Sequence, residues 1–225
     1  MATRVYTESS GSVGVTPSTW NFANQVNPVT VPGTLTQNTG AAMTSKTEAT
    51  GLTSGAARAM GRTILGPLAA QTISGTVKGQ MRGQESSIVA DATPAMAVKL
   101  VQPSGADRAV LLAQTASDSA TAGNEFVTTL TNARFKNAAE VAAIPLTTQS
   151  AEAGDYLVIE WGFRTGGGTN NNITLSYGNN SATDLTDADT TVTAANNPWW
   201  EFSADLVMQG GAVFVLPHML HQHGA

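Results

Sequence analysis

The spacing of the apolar residues constrains this fold more than any other feature of the sequence. Segments 72–82 and 156–164 each alternate between an apolar or glycine face and a second face. The first face consists of Ile73, Gly75, Val77, Gly79 and Met81 in one segment, and of Leu157, Ile159, Trp161 and Phe163 in the other. Successive side chains of a β-strand point to opposite sides of the sheet, so this period of two predicts half-buried strands.

Turn-forming residues separate further strands in the body of the chain. A Pro-, Ser- and Gly-containing turn at 103–107 lies between the apolar segments 95–102 and 110–114, which predicts a hairpin. Segment 155–177 has a Gly/Asn-rich middle at 166–172 and predicts a second, long hairpin.

Shorter apolar segments complete the expected domain. Segments 126–130 and 198–203 predict strands, and the Ala-rich segment 137–143 predicts one or two helical turns. No long amphipathic helix and no internal repeat is found. We therefore expect an all-β fold, a jelly-roll-like two-sheet β-sandwich of roughly six to eight strands over residues 61–205.

Residues 1–60 differ from this body because their apolar side chains are isolated among Thr, Ser, Gly, Asn and Pro. Three prolines between positions 17 and 32 exclude a long helix. This composition predicts an extended N-terminal arm that reaches neighbouring subunits, and Trp20 and Phe22 favour an arm over a solvated linker. The alternative is a flexible tail, or irregular strands folded onto the body.

Composition restricts the chemistry that the chain can perform. Cysteine is absent, which excludes disulfides, a thiol nucleophile and Cys-based zinc sites. The net charge of −5 and the scattered Lys and Arg residues predict no nucleic-acid partner. No stretch of about 18 apolar residues predicts a membrane helix, so no membrane partner is expected. The N-terminus lacks the apolar core of a signal peptide, so we expect synthesis in the cytoplasm.

Residues that could bind a metal ion occur in two places. The histidines of a short C-terminal extension, residues 206–225, are His218, His221 and His223. The clustered aspartates are Asp184, Asp187 and Asp189. No nearby Cys or acidic residue completes a site around the histidines, and the aspartates lack the glycine and spacing of an EF-hand. A solvated or subunit-contacting tail and a solvated loop are preferred, so no metal site is expected.

Signatures of catalysis are also absent. Glu160 and Glu201 lie in apolar strands, and paired carboxylates could hydrolyse glycosides. Nothing in the sequence brings the two together, and a pair between Glu160 and Arg164 is preferred. The chain has no G-x-S-x-G elbow, no Walker A motif and no G-x-G-x-x-G after a strand. We expect no catalytic residue and no cofactor.

The tryptophans divide between core and surface. Trp161 shares a face with Leu157 and Ile159, so it is expected in the core. Trp199 and Trp200 are adjacent in a strand and must point to opposite sides. One of them is expected outside the core, against the arm, a partner subunit or a glycan. The expected interface residues are Trp20, Phe22, Trp199, Trp200, His218, His221 and His223.

Three segments of the body resemble uncharacterised structural proteins of tailed bacteriophages. They are GPLAAQTISGTVKG at 66–79, GDYLVIEWGFR at 154–164, and residues 184–203, which end in NPWWEFS. The resemblance covers much less of residues 1–60. It implies a virion component and carries no catalytic residues with it.

The expected function is therefore that of a non-enzymatic virion structural protein. It would be a capsid decoration or cement protein, or a head–tail or tail accessory protein, bound to copies of itself and to other virion proteins. One alternative is a receptor- or glycan-binding module of a tail fibre or adhesin, with a host surface glycan as partner. Another is a hydrolase with an unrecognised site.

Overall fold

A computed structural model describes residues 2–49, 54–116, 125–126, 128, 143–166, 171–185 and 196–210. Within these residues the chain is all-β, as predicted, and its only helical element is a 3-10 turn at Ile88–Ala90. The helical turns expected at 137–143 and most of the strand expected at 126–130 lie outside the described residues.

Fourteen strands make up the described fold. In chain order they are β1 (Thr3–Thr7), β2 (Asn24–Thr34), β3 (Ala41–Ala49), β4 (Ala57–Leu65), β5 (Gln71–Ile73), β6 (Thr76–Gln80), β7 (Arg82–Glu85), β8 (Ala92–Val101), β9 (Asp107–Ala116), β10 (Ile144–Pro145), β11 (Gln149–Ala151), β12 (Tyr156–Thr165), β13 (Asn172–Asn179) and β14 (Trp199–Phe202).

Nine strands form one curled sheet in the order β10-β6-β14-β1-β2-β4-β12-β8-β9. All neighbours are antiparallel except β2 and β4, which are parallel. The two ends of the sheet meet where the N–H of Thr147, just after β10, donates to the carbonyl of Leu111 in β9 at 2.8 Å. The sheet is therefore nearly closed, which leaves little unpaired edge.

A three-stranded sheet, β3-β13-β7, packs against the inside of the curled sheet, and β5 pairs with β11 in a short ribbon. Ile173, Leu175 and Tyr177 of β13 point into the core. There the ring of Tyr177 lies 5.5 Å from the ring of Trp161, measured between centroids. Trp161 is fully buried, as its place on the apolar face of β12 predicts.

The period-two segments become strands, but their pairing differs from the prediction in part. The hairpin expected from 95–102 and 110–114 is confirmed as β8 and β9. The hairpin expected over 155–177 is wrong, because β12 pairs with β4 and β8 whereas β13 pairs with β3 and β7. Strands distant in sequence occupy both sides of β12, and the Gly/Asn-rich sequence at 166–172 gives no sign of this.

The segment 72–82 is not one strand but parts of three. β5, β6 and β7 lie in three different sheets, and Gly75, with φ of +85°, forms the turn between β5 and β6. The residues predicted to face inward nevertheless do so, since Ile73, Val77 and Met81 are fully buried.

The expected extended arm is wrong for the described part of residues 1–60. β1 lies between β14 and β2 in the curled sheet, and β3 pairs with β13. The structure shows the alternative that the sequence left open, in which these residues form strands folded onto the body. Pro28 lies in an irregularity of β2 between Gln25 and Val29, so a strand accommodates a residue that suggested a loop.

Candidate functional site

A segment between β1 and β2 covers the outer face of the curled sheet. We call it the strap and define it as residues 9–23. Val15 of the strap packs on Ile64, Val101 and Val158. Because β8 faces the core on one side and the strap on the other, all ten of its residues are buried.

Phe22 fixes the other end of the strap. Its ring is 1% exposed and packs against Ala59, Ala95 and Ala97, three small side chains that leave space for it. Phe22 was expected at an interface with another subunit, and it instead contacts the sheet of its own chain.

A cluster of charged side chains lies beneath the middle of the strap. Lys99 of β8 and Glu160 of β12 are both fully buried. The Lys99 Nζ atom lies 2.9 Å from Asp107 Oδ1 and 3.4 Å from Glu160 Oε1. Lys99 also donates to the carbonyl and the hydroxyl of Thr19, each at 2.8 Å. Glu160 Oε2 accepts the backbone N–H of Asn21 at 2.7 Å, so both strap and sheet hold the cluster.

A second cation borders the cluster. Arg62 of β4 is 6% exposed, and its Nε donates to the Thr30 hydroxyl at 3.0 Å. Its guanidinium lies 4.4 Å from the centre of the Trp20 ring, which covers it from the strap side. The positive charges of Lys99 and Arg62 balance the two carboxylates of the cluster, and buried charges require such pairing.

Burial perturbs the acid–base properties of this cluster. It raises the pKa of Glu160, an effect that the Asn21 hydrogen bond and the charges of Lys99 and Arg62 oppose. Burial also lowers the pKa of the Arg62 guanidinium, and the charges of Glu160 and Asp107 oppose that shift. The neutral form of Glu160 is thus easier to reach than it would be in water.

The expected pair between Glu160 and Arg164 is not formed. Arg164 Nε donates to the carbonyl of Gly55 at 3.3 Å, and four residues along a strand separate it from Glu160 by about 13 Å. The sequence does contain a signal for the observed cluster. Lys99 and Glu160 each stand in an otherwise apolar strand, where an unpaired charge would be costly.

A second, more superficial cluster surrounds Trp199. Trp199 and Trp200 point to opposite sides of β14 as predicted, and both are fully buried. Trp200 is in the main core, whereas Trp199 packs on Tyr6 and Leu185 and donates its indole N–H to the Leu185 carbonyl at 2.8 Å. Of the three contacts left open for the outer tryptophan, namely the arm, a partner subunit or a glycan, the structure shows a contact with a residue of the N-terminal segment, Tyr6.

Arg4 covers the outer side of Trp199. Its guanidinium lies 4.1 Å from the ring centroid and forms ion pairs with Asp184 and Glu201, both at 2.8 Å. Asp184 also accepts the Tyr6 hydroxyl, and burial together with this bond raises the pKa of Tyr6 to about 12. Asp184 and Glu201 therefore serve a surface ionic network. Asp187 and Asp189 lie outside the described residues.

The three-stranded sheet presents an edge strand to solvent. β3 pairs with β13 and has no second strand among the described residues. Thr44, Ser45, Thr47 and Ala49 are exposed. The Thr47 and Thr174 hydroxyls are hydrogen-bonded across the two strands at 2.8 Å.

Searches for a recognisable site or relative give no match. In the described part of the chain, no three His, Cys, Asp or Glu side chains are grouped to hold a metal ion, and no helix could cross a membrane. His218, His221 and His223 lie outside the described residues. No family model, no curated protein and no solved structure matches the chain.

Proposed function

We propose that this chain is a non-enzymatic structural protein of a bacteriophage virion. It acts as a capsid decoration or cement protein, or as a head–tail or tail accessory protein, and binds copies of itself and other virion proteins. In the same proposal, the curled sheet and the three-stranded sheet are the two layers of a jelly-roll-like sandwich. The observation that carries the proposal is the exposed edge strand β3.

The backbone of β3 is oriented so that it can accept another strand. The Asn172 carbonyl accepts the N–H of Ser86, just beyond β7, so the backbone groups of Asn172 face β7. Backbone groups of successive residues face opposite neighbours, so those of Ile173 and Leu175 face β3. Their partners there are Glu48 and Lys46. Ser45 and Thr47, which alternate with these residues, therefore direct their N–H and C=O groups to the open edge.

The character of this edge suits a wide, hydrated contact. Its side chains are mainly hydroxyls, and Lys46 is paired with Glu48 of the same strand at 2.7 Å, so the edge is nearly neutral. Charged residues make up 12% of the whole chain. Edges of this kind bind extended segments through main-chain hydrogen bonds, and water completes the polar contacts.

The alternative of a glycan-binding module depends on an exposed aromatic surface. Trp199 and Trp200 are fully buried, and Arg62 covers the ring of Trp20. No described feature favours that alternative over assembly.

The proposal is tested on particles of the phage or prophage that encodes the chain. Density-gradient-purified particles are analysed by quantitative mass spectrometry and by immunoelectron microscopy with an antibody against the recombinant chain. We expect a fixed copy number per particle and labelling at one location. Recovery only from the soluble lysate fraction would refute a virion role.

The contribution of β3 is tested with two substitutions at one position. Thr47→Pro removes the N–H that points to the open edge and leaves the main-chain bonds between β3 and β13 in place, while the hydroxyl bond to Thr174 is lost in this variant and in its control alike. Thr47→Val keeps that N–H and is the matched control. We expect the proline variant to fold, as measured by circular dichroism, and to be depleted from particles. Equal incorporation of both variants would exclude the β3 edge as the contact.

A further inference from the structure

The buried cluster beneath the strap has the parts needed for a covalent cross-link. We propose that Lys99 and Asp107 condense to form an intramolecular amide bond between their side chains, with Glu160 as the group that transfers the protons. The bond would join β8 to β9 under the strap. It goes beyond the proposed virion role and does not depend on it.

Geometry brings the two reacting groups together before any reaction. Lys99 Nζ lies 2.9 Å from Asp107 Oδ1, so the carboxyl carbon of Asp107 is within reach of the nitrogen. Both residues belong to paired strands, with Val101 of β8 opposite Asp107 in the register. Reactants held in a productive geometry reach effective concentrations of about 10⁵–10⁸ M, which lowers the barrier to their reaction.

Glu160 is placed as the proton carrier. Its Oε1 lies 3.4 Å from Lys99 Nζ, beyond the usual range of a hydrogen bond, and it is buried without a hydrogen-bond partner. Its other oxygen is fixed by the Asn21 N–H. Burial also makes its neutral form accessible, as described above. Oε1 is therefore the oxygen of Glu160 that faces Lys99 and can accept its proton.

The reaction balances without any external reagent. An ammonium group and a carboxylate give an amide and one water molecule, with no change in net charge. The nitrogen of Lys99 must lose two protons, and the departing oxygen of Asp107 must gain two. Glu160 takes the first proton from the ammonium group and passes it to the Asp107 carboxylate, so that a neutral amine attacks the carboxyl carbon of a neutral acid. Glu160 then takes the second proton from the attacking nitrogen and returns it to the departing oxygen as the C–O bond breaks and water leaves. The Asp107 side chain is 31% exposed, which gives the water molecule a way out, whereas Lys99 is fully buried and protected from the reverse attack.

The experiment measures the mass of the tryptic peptide that contains both residues. Residues 83–108 contain one internal basic residue, Lys99, so an unreacted chain is cut there. The cross-linked chain should resist cleavage after Lys99 and give peptide 83–108 lighter by one water molecule. Chymotryptic cleavage after Leu100 should then leave the two parts of the peptide joined. Complete cleavage after Lys99 in the folded, purified full-length chain would overturn the proposal.

The Asp107→Asn substitution provides a second test. In Asp107→Asn the same amide forms with loss of ammonia instead of water, so the mature variant and the mature wild type have identical masses. Lys99→Arg and Glu160→Gln should give full-length, uncondensed protein that is folded by circular dichroism. Loss of ammonia from the wild type would contradict the assignment to Asp107.

The matched controls come from the surface ion pair of Lys78 and Glu201, whose charged atoms are 3.2 Å apart. Lys78→Arg and Glu201→Gln should retain the mass loss in peptide 83–108. Retention of the same loss in folded Lys99→Arg would place the dehydration elsewhere and would refute the cross-link.

Discussion

At the scale of single residues, two glycines lie where tryptophan rings occupy the space of a side chain. A Cβ atom at Gly79 would lie 2.1 Å from the ring of Trp200, its partner across β6 and β14. A Cβ atom at Gly61 would lie 2.3 Å from Trp161. The period-two pattern placed Gly79 on the apolar face of its segment. It could not identify the Trp200 ring, because β14 is more than a hundred residues away from β6 in sequence.

Gly79→Ala tests this packing. The added methyl group must displace the buried Trp200 ring, and we expect unfolding free energy to fall by about 1–3 kcal/mol. Urea denaturation followed by tryptophan fluorescence measures the change. Thr44→Ala at an exposed strand position is the control, with an expected change within about 0.5 kcal/mol. A Gly79→Ala variant as stable as the control would contradict the packing.

Glu85 provides a prediction about pH. Burial raises its pKa to about 7, and the nearby charges of Glu125 and Asp91 add to the rise. The unfolded chain then binds fewer protons than the folded chain between pH 4.5 and 7, so this residue makes the fold less stable as pH rises through that window.

Glu85→Gln should remove this dependence, because an amide can still accept the N–H of Ala92 and carries no charge. The variant should equal the wild type below about pH 4 and be more stable above pH 7, by at most about 3 kcal/mol. Thermal denaturation across this pH range measures the difference. Parallel stability curves for the two proteins would refute the assignment.

At the scale of elements, the strap shows what the sequence could and could not reveal. The sequence of residues 9–23 has no strand period, and the segment forms no strand. Trp20 and Phe22 did indicate that the segment is not solvated. What they contact depends on Ala59, Ala95 and Ala97, small residues in distant strands that carry no local signal.

Phe22→Ala tests whether the strap is part of the fold. It removes a ring that is 1% exposed, and we expect a loss of about 3–5 kcal/mol in unfolding free energy. Hydrogen exchange should increase first at Thr19–Asn21, where the strap bonds Lys99 and Glu160. Val26→Ala, at a side chain 42% exposed, is the control. Exchange that is unchanged in the strap would show that Phe22 does not anchor it.

At the scale of the whole molecule, the N-terminal residues are structural members of the curled sheet. Alternation predicted most strands of the body, since each carries its own apolar face. It did not predict β1 or β2, whose apolar residues are few and lie among Thr, Asn and Pro. Their strand conformation depends on partners such as Trp200, which lies opposite the fully buried Val5. Tertiary pairing, rather than local propensity, determines this part of the fold.

Deletion of residues 2–23 should therefore abolish cooperative folding. It removes β1 from between β14 and β2 and uncovers Lys99 and Glu160. We expect no cooperative thermal transition and strong binding of a hydrophobic dye. A truncated chain that retains a sharp thermal unfolding transition would show that these residues are a dispensable arm.

The pairing of β1 with β14 also sets the order of events during synthesis. Thr3 pairs with Phe202, so during synthesis β1 waits for a strand that lies about 200 residues further along the chain. Translation at about 5–20 residues per second makes that delay roughly 10–40 s. During this time Val5 and Tyr6 have no β14 to cover them, and the sheet cannot close. The nascent chain must therefore complete its fold after synthesis of nearly all of the described residues, and one side of β1 stays unpaired until then.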